Sequence, residues 1–222
     1  MQNPETIIFD VNETLLDLDG LRSVLIDALG SSESLAEWFF RLLHGSLVAN
    51  ETDRFRSFET IAVEALAAIG LRADIDVSAD TSELIVAAFR SLPVHPDVPD
   101  ALDRLRSAGC RIVALSNGSS EGIPQQLESA GILDRFDHVL SVDEVQRFKP
   151  HRAVYEAALS RLGIVGSQAL MVAAHDWDIV GARNVGIGGA FVTRPGVVWT
   201  LPDRQPDIVV ASIAGVADAL GA

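Results

Sequence analysis

The sequence predicts an α/β fold, a doubly wound parallel sheet with a helical segment inserted after its first strand. Three observations predict it. Short apolar, β-branched runs recur six times along the 222 residues. Helix-period stretches separate most of them, so the strands must be joined by right-handed crossovers and lie parallel, in the Rossmann-like manner. Between the first run and the second, four helical patterns follow one another with no strand among them.

The first run begins at Thr6 as TIIFDV and stops at the polar Asn12-Glu13-Thr14. Being apolar almost throughout, it reads as a strand buried on both faces. From about Asp17 to Leu92 come LDGLRSVLIDALG, SLAEWFFRLLHGSLVAN, RFRSFETIAVEALAAIG and TSELIVAAFRSL, each with apolar residues at helical spacing. Pro93, Pro96 and Pro99 then mark the return to the sheet, because proline interrupts regular hydrogen bonding. The expected division is a discontinuous core of 1–16 and 93–222 and a helical cap of 17–92. Next, DALDRLRSAG (100–109) leads as a helix into the strand RIVALSN (111–117), and a helix over 119–131 leads into HVLSV (138–142). HRAVYEAALSRLG (151–163) precedes ALMVAA (169–174), and DIVGARNVG (178–186) precedes GGAFVT (188–193). DIVVAS (207–212) supplies the last strand. Gly109, Gly131, Gly163 and Gly186 fall just past the helical periodicities, where helix C-termini favour glycine.

A composition of 48% hydrophobic and 22% charged residues suits a globular chain with a sizeable core and excludes disorder. Asp and Glu exceed Lys and Arg by 31 to 17, a net charge of −14. That balance excludes nucleic acid and anionic membranes as expected partners, since both reward clustered Lys and Arg. It leaves room for a small anion held by a few local donors. No stretch approaches the ~20 apolar residues of a membrane span. The start MQNPETIIFDV lacks the basic region and long apolar run of a signal peptide. A single cysteine, Cys110, fits a reducing compartment. A cytoplasmic protein is expected, and a homodimer is left open.

In open α/β sheets, ligands sit beyond the carboxyl ends of the strands. Those positions hold Asp10 through Thr14, Ser116-Asn117, Lys149, and His175 through Asp178. Any one of these alone is an ordinary turn or cap residue. Four loops that bring carboxylates, an ammonium, hydroxyls and an amide to one rim point to chemistry. The remaining histidines show no metal-ligand spacing. Gly186, Gly188 and Gly189 do not form a dinucleotide fingerprint after the first strand. No cofactor is expected.

The motifs FDVNET, LSNG, Lys149-Pro150 and HDWDIVGA, in that order, resemble those of the haloacid dehalogenase superfamily over nearly the whole chain. The resemblance implies that Asp10 is a nucleophile. Two departures are informative. Phosphatases of the superfamily carry DxDxT, whose second Asp is a general acid and a Mg²⁺ ligand through its carbonyl. Here that position is Asn12, which can neither give nor take a proton. Their Mg²⁺-binding Asp lies four residues before the counterpart of Asp178, where this chain has Ala174, and Mg²⁺ wants carboxylate oxygens. No metal is therefore expected.

What remains resembles the metal-free type II 2-haloacid dehalogenases, which take a small anionic haloacid. In these a carboxylate displaces halide from the carbon beside the substrate carboxylate, and water hydrolyses the resulting ester. Halide leaves unprotonated, so no acid is needed at position 12. Lys149 would keep Asp10 ionised and occupy the place of the phosphatases' Mg²⁺. The resemblance further implies that Arg41, in EWFFRLLH, and Asn117 stabilise the departing halide. It assigns the substrate carboxylate to the backbone amides near Val11 and Asn12, to Thr14 and to Ser116. Tyr155 matches a family tyrosine beside the substrate, and Trp177 forms an apolar wall. Asp178 and His175 are both expected on the loop after strand four, with Asp178 either activating the water or holding Lys149, and a neutral His175 as the other candidate base. AAHDWD stands where those dehalogenases resemble SSNAWD, a variant that looks like a subgroup with defluorinating members, which makes fluoroacetate a candidate substrate. Another hydrolase of the superfamily, including a small-molecule phosphatase, and a non-catalytic binder on the same fold stay open beside this reading.

Overall fold

The computed structural model describes residues 4–202 and 204–222; residues 1–3, which open the expected core range, lie outside the described residues. Its sheet has six strands: β1 (Thr6–Phe9), β2 (Arg111–Ser116), β3 (His138–Ser141), β4 (Ala169–Ala173), β5 (Gly188–Val192) and β6 (Ile208–Val210). They run parallel in the order β3-β2-β1-β4-β5-β6, the doubly wound arrangement expected. Every residue of β1 and β4 is buried, and β2 exposes its first residue alone. The edge strands β3 and β6 are half-exposed. Burial on both faces is why the central runs read as continuously apolar.

Four helices follow β1: α1 (Arg22–Leu29), α2 (Ser34–Glu51), α3 (Phe58–Ala73) and α4 (Ala79–Arg90). Ser57 and Ser78 accept hydrogen bonds from the amides of Thr60 and Thr81 and so cap α3 and α4. The indole of Trp38 in α2 donates to Ala62 O of α3 at 3.0 Å and meets the Phe89 ring of α4 edge-on, which fastens three of the helices together. The chain leaves and re-enters side by side. Asp17 N–H donates to Pro93 O, and His95 N–H donates to Leu15 O.

The sheet is flanked by α5 (Val98–Ser107), α6 (Gly122–Ser129), α7 (Arg152–Leu162), α8 (Asp176–Arg183) and α9 (Ile213–Leu220). The glycines expected at helix ends adopt positive φ at 109, 131, 163 and 186. Three features differ from expectation. Helix α5 starts two residues early because Pro99 fits a first turn, where its missing N–H costs nothing. Helix α8 starts at Asp176, which places Asp178 in its first turn and not on a loop. Helix α9 has no counterpart among the expected elements; Ser212 caps it through Gly215 N–H at 3.1 Å. Among the described residues no helix is long and apolar enough to cross a membrane.

Candidate active site

The site forms where the sheet order reverses, beyond the carboxyl ends of β1, β2 and β4, where open α/β sheets hold ligands. Strand β1 ends in Asp10, whose N–H still donates to Val172 O of β4. The chain then turns tightly: Val11 O accepts from the amides of Leu15 and Leu16, and Glu13 adopts φ 66°. Arg194 holds this turn from below. Its guanidinium donates twice to Thr14 O, at 2.8 and 3.1 Å, and once to Asp97 at 2.7 Å. Nothing in the sequence singles out Arg194, because its task depends on two segments far apart in the chain.

Lys149 is the centre of the constellation. Its Nζ donates to Asp10 Oδ1 at 2.7 Å, to Asp178 Oδ2 at 2.6 Å and to Leu115 O at 2.9 Å. An ammonium has three N–H groups, so all are used. The residue is 2% exposed, and its peptide bond to Pro150 is cis. Lys149 N–H in turn donates to Asn117 Oδ1 at 2.8 Å. That bond fixes which end of the Asn117 amide is oxygen and leaves its NH₂ facing elsewhere.

Charges follow from the contacts. Burial alone would raise the Asp10 carboxyl, but attraction to Lys149 and the His175 hydrogen bond outweigh it and hold Asp10 below the usual carboxylate range. Burial pushes Asp178 upward, opposed by Lys149. The two carboxylates in turn outweigh burial at Lys149 and keep its ammonium charged.

Each expected residue has a definite place. Thr14 is fully buried; its hydroxyl donates to Asp10 Oδ2 at 2.7 Å and accepts from Ala174 N–H at 2.9 Å. It therefore orients Asp10, which corrects its expected contact with substrate. Tyr155 is also fully buried and donates to Asp178 Oδ1 at 2.6 Å. It braces the partner of Lys149 instead of lying against substrate. Asp178 has both oxygens engaged, by Lys149 and Tyr155, and so anchors the lysine. Ser116 Oγ accepts from Gly118 N–H, leaving its proton free to donate. The N–H groups of Val11 and Asn12 have no acceptor among the described residues, while the Asn12 side chain accepts from Gln126. Trp177 is half-buried and stacks on His175, ring centroids 4.8 Å apart.

His175 differs from expectation. Its Nδ1 lies 3.1 Å from Asp10 Oδ2 and its Nε2 lies 2.7 Å from Glu13 Oε2. Ionised carboxylates only accept, so both ring nitrogens donate and the ring is an imidazolium. Burial would lower its proton affinity, but the hydrogen bonds to Asp10 and Glu13 outweigh this and raise the pKa to about 9. A neutral His175 is therefore not the form held beside an ionised Asp10. Glu13 itself escapes a reading of the sequence, since it looks like turn filler between a strand end and Thr14.

Arg41 is engaged within its own helix. It lies on α2 as expected, but its guanidinium pairs with Glu37 of the same helix at 2.8 Å. The ring of Phe39 on α2 lies 5.8 Å from that of His175. Residues two apart on a helix differ by ~200°, so Phe39 and Arg41 project from different flanks of α2. Helix α2 also reaches the core through Asn50, whose amide brackets Phe148, donating to its O at 2.9 Å and accepting from its N–H at 2.8 Å. Among the described residues no group of three or more His, Cys, Asp or Glu could hold a metal ion.

Comparison with known proteins places this geometry in a family context. A family model described as haloacid dehalogenase-like hydrolase matches residues 4–186. The chain is 32% identical over 214 residues to (S)-2-haloacid dehalogenase of Pseudomonas sp. (strain YL), covering 96% of this chain and 92% of the relative. It is 27% identical to haloacetate dehalogenase H-2 of Moraxella sp. (strain B), covering 95% of each. The structure of L-2-haloacid dehalogenase from Xanthobacter autotrophicus with chloropropionic acid covalently bound matches with a TM-score of 0.89 over 98% of each chain at 23% identity, a likeness of fold.

Proposed function

Since this chain belongs to the haloacid dehalogenase-like hydrolase family, we propose that it is a metal-independent 2-haloacid dehalogenase that works in the cytoplasm. It converts short 2-haloacids, haloacetates among them, to 2-hydroxy acids through an ester on Asp10. One observation carries the reading: the Lys149 ammonium lies buried between Asp10 and Asp178, while positions 12 and 174 are Asn and Ala. The lysine supplies positive charge beside the nucleophile and keeps it ionised. Asp10 attacks the carbon that bears the halogen, the carbon–halogen bond breaks, and halide departs with the electron pair. No proton moves, so Asn12 is no handicap.

The unpartnered amides of Val11 and Asn12 and the hydroxyl of Ser116 suit the substrate carboxylate. The NH₂ of Asn117 suits the halide, where donors aimed at growing charge lower the barrier. Trp177 and Phe39 form the apolar wall, and helices 17–92 act as a cap over a core of 1–16 and 93–222. A site walled by two aromatic rings favours two-carbon acids, fluoroacetate included.

Halide release from fluoro-, chloro- and bromoacetate in excess EDTA tests the proposal, together with a single turnover in H₂¹⁸O. Release should persist without metal, and the heavy oxygen should enter the Asp10 carboxylate. Activity that dies with EDTA and returns with Mg²⁺, together with hydrolysis of aryl phosphates, would establish the phosphatase alternative instead.

A further inference from the structure

Asp10, His175 and Glu13 form a line: carboxylate, imidazole, carboxylate, with nitrogen–oxygen distances of 3.1 and 2.7 Å. Two rings lie against the imidazole, Trp177 stacked at 4.8 Å and Phe39 tilted at 5.8 Å between centroids. The charged groups facing the ring are Asp10 and Glu13. Lys149 touches the far oxygen of Asp10, Asp178 faces Lys149 and Tyr155, and Asp176 is turned to Thr200. Helix α2 presents Phe39, which carries no charge.

Glu13 is built into its place. Its N–H donates to Leu16 O at 2.8 Å, and its carbonyl oxygen lies 3.2 Å from His95 Nε2. Its side chain is 26% exposed and edges a cavity of about 450 Å³ shared with Arg22, His95 and Arg194. The dehalogenation step gives this residue nothing to do, because that step moves no proton.

We propose that Glu13 is a positioning residue for ester hydrolysis, holding the Nε2–H of His175 so that Nδ1 becomes the base once Asp10 is esterified. This rests on the reaction proposed above. When the ester forms, Asp10 becomes neutral and Nδ1–H loses the charge that held it; that proton passes to solvent. Glu13 keeps the other proton on Nε2, as the carboxylate of a catalytic triad fixes its histidine tautomer. The water oxygen then bonds to Asp10 Cγ and gives one proton to Nδ1. The Cγ–O ester bond breaks, and the departing alkoxide takes the second water proton to become the 2-hydroxy acid. The returning Asp10 carboxylate restores the imidazolium. One proton is released per turnover, as the overall reaction requires.

Glu13→Gln tests this, because the amide oxygen can still accept from Nε2–H but carries no charge. Chloroacetate is mixed with enzyme, and halide burst and ester lifetime are followed by rapid quench and intact mass across pH. The burst should stay within about twofold of wild type. Ester decay should slow at least tenfold at pH 7, within the roughly 10²–10⁴-fold reach of general-base assistance. Its acid limb should move to lower pH, since the imidazolium is less favoured without the carboxylate. In a His175→Ala background, Glu13→Gln should change decay no further. An unchanged ester lifetime and pH profile in Glu13→Gln overturns the inference, as does an equal slowing with or without His175. A wild-type enzyme that forms no ester at all overturns the dehalogenase reading instead.

Discussion

Replacing Lys149 by methionine removes the one cation between two buried carboxylates and keeps the side-chain volume. Asp178 has no exposed side-chain surface and Asp10 has 7%, so water cannot compensate for the lost ammonium. Breaking a buried ion pair from one side costs about 3–5 kcal/mol. In a chain of this size each kcal/mol shifts the melting temperature by roughly 2–4 °C, so the expected drop at pH 7 is roughly 6–20 °C. The loss should also depend on pH with a definite sign. In the wild type the depressed pKa of Asp10 contributes stability above the ordinary carboxylate range, lost as pH falls through its folded value. In Lys149→Met the unpaired Asp178 takes up a proton more readily folded than unfolded, so that variant gains stability as pH falls. The two curves must converge on acidification. Thermal and urea unfolding of both proteins at pH 4.5 and pH 8 measure this, and Asp178→Asn in the Lys149→Met background should recover part of the loss. A drop of less than 2 °C at pH 7, or an equal drop at both pH values, refutes the account of Lys149 as a buried counter-charge.

Tyr155→Phe removes one hydrogen bond to a charged, buried acceptor and should cost about 1.5–3 kcal/mol, read by urea unfolding, with KM for chloroacetate unchanged because the hydroxyl faces Asp178. For His175, the folded pKa of about 9 lies above its unfolded value, so its stabilisation is complete below about pH 6.5 and fades as pH rises through about 9. The stability difference between wild type and His175→Gln should accordingly shrink between pH 7 and pH 10; a constant difference contradicts the imidazolium. Arg41→Ala should change kcat/KM for chloroacetate less than threefold, since its partner is Glu37 on the same helix; a hundredfold loss would show that Arg41 leaves Glu37 for the departing halide.

Much of the sheet is legible from residue types alone, because strands buried on both faces announce themselves as unbroken apolar runs such as TIIF and ALMVA. Their order also puts Asp10, Lys149 and Asp178 on one rim, where the structure joins all three through the lysine. Helix α9 is less legible, since its short apolar stretch continues the pattern of the strand ahead of it. Side-chain direction is the harder part. Thr14 and Tyr155 are recognisable as site residues, yet both are spent on carboxylates, a distinction set by distances across the fold. Arg41 falls on the right helix, but an apolar helix in sequence does not say which flank meets which neighbour. Glu13 owes its part to a left-handed backbone turn and to a histidine 162 residues away, and neither is visible in local pattern.

Two consecutive peptide groups answer to different parts of the molecule. Phe148 N–H is held by Asn50 on α2, and Lys149 N–H by Asn117 beside β2. In amide hydrogen exchange these neighbours form an internal ruler. Swinging the inserted helices away uncovers the first while the second stays protected, so the ratio of their exchange rates reads the free energy of that opening directly. Ligand that holds the helices down should bring the two rates together, which lets closure be followed in a protein that performs no chemistry.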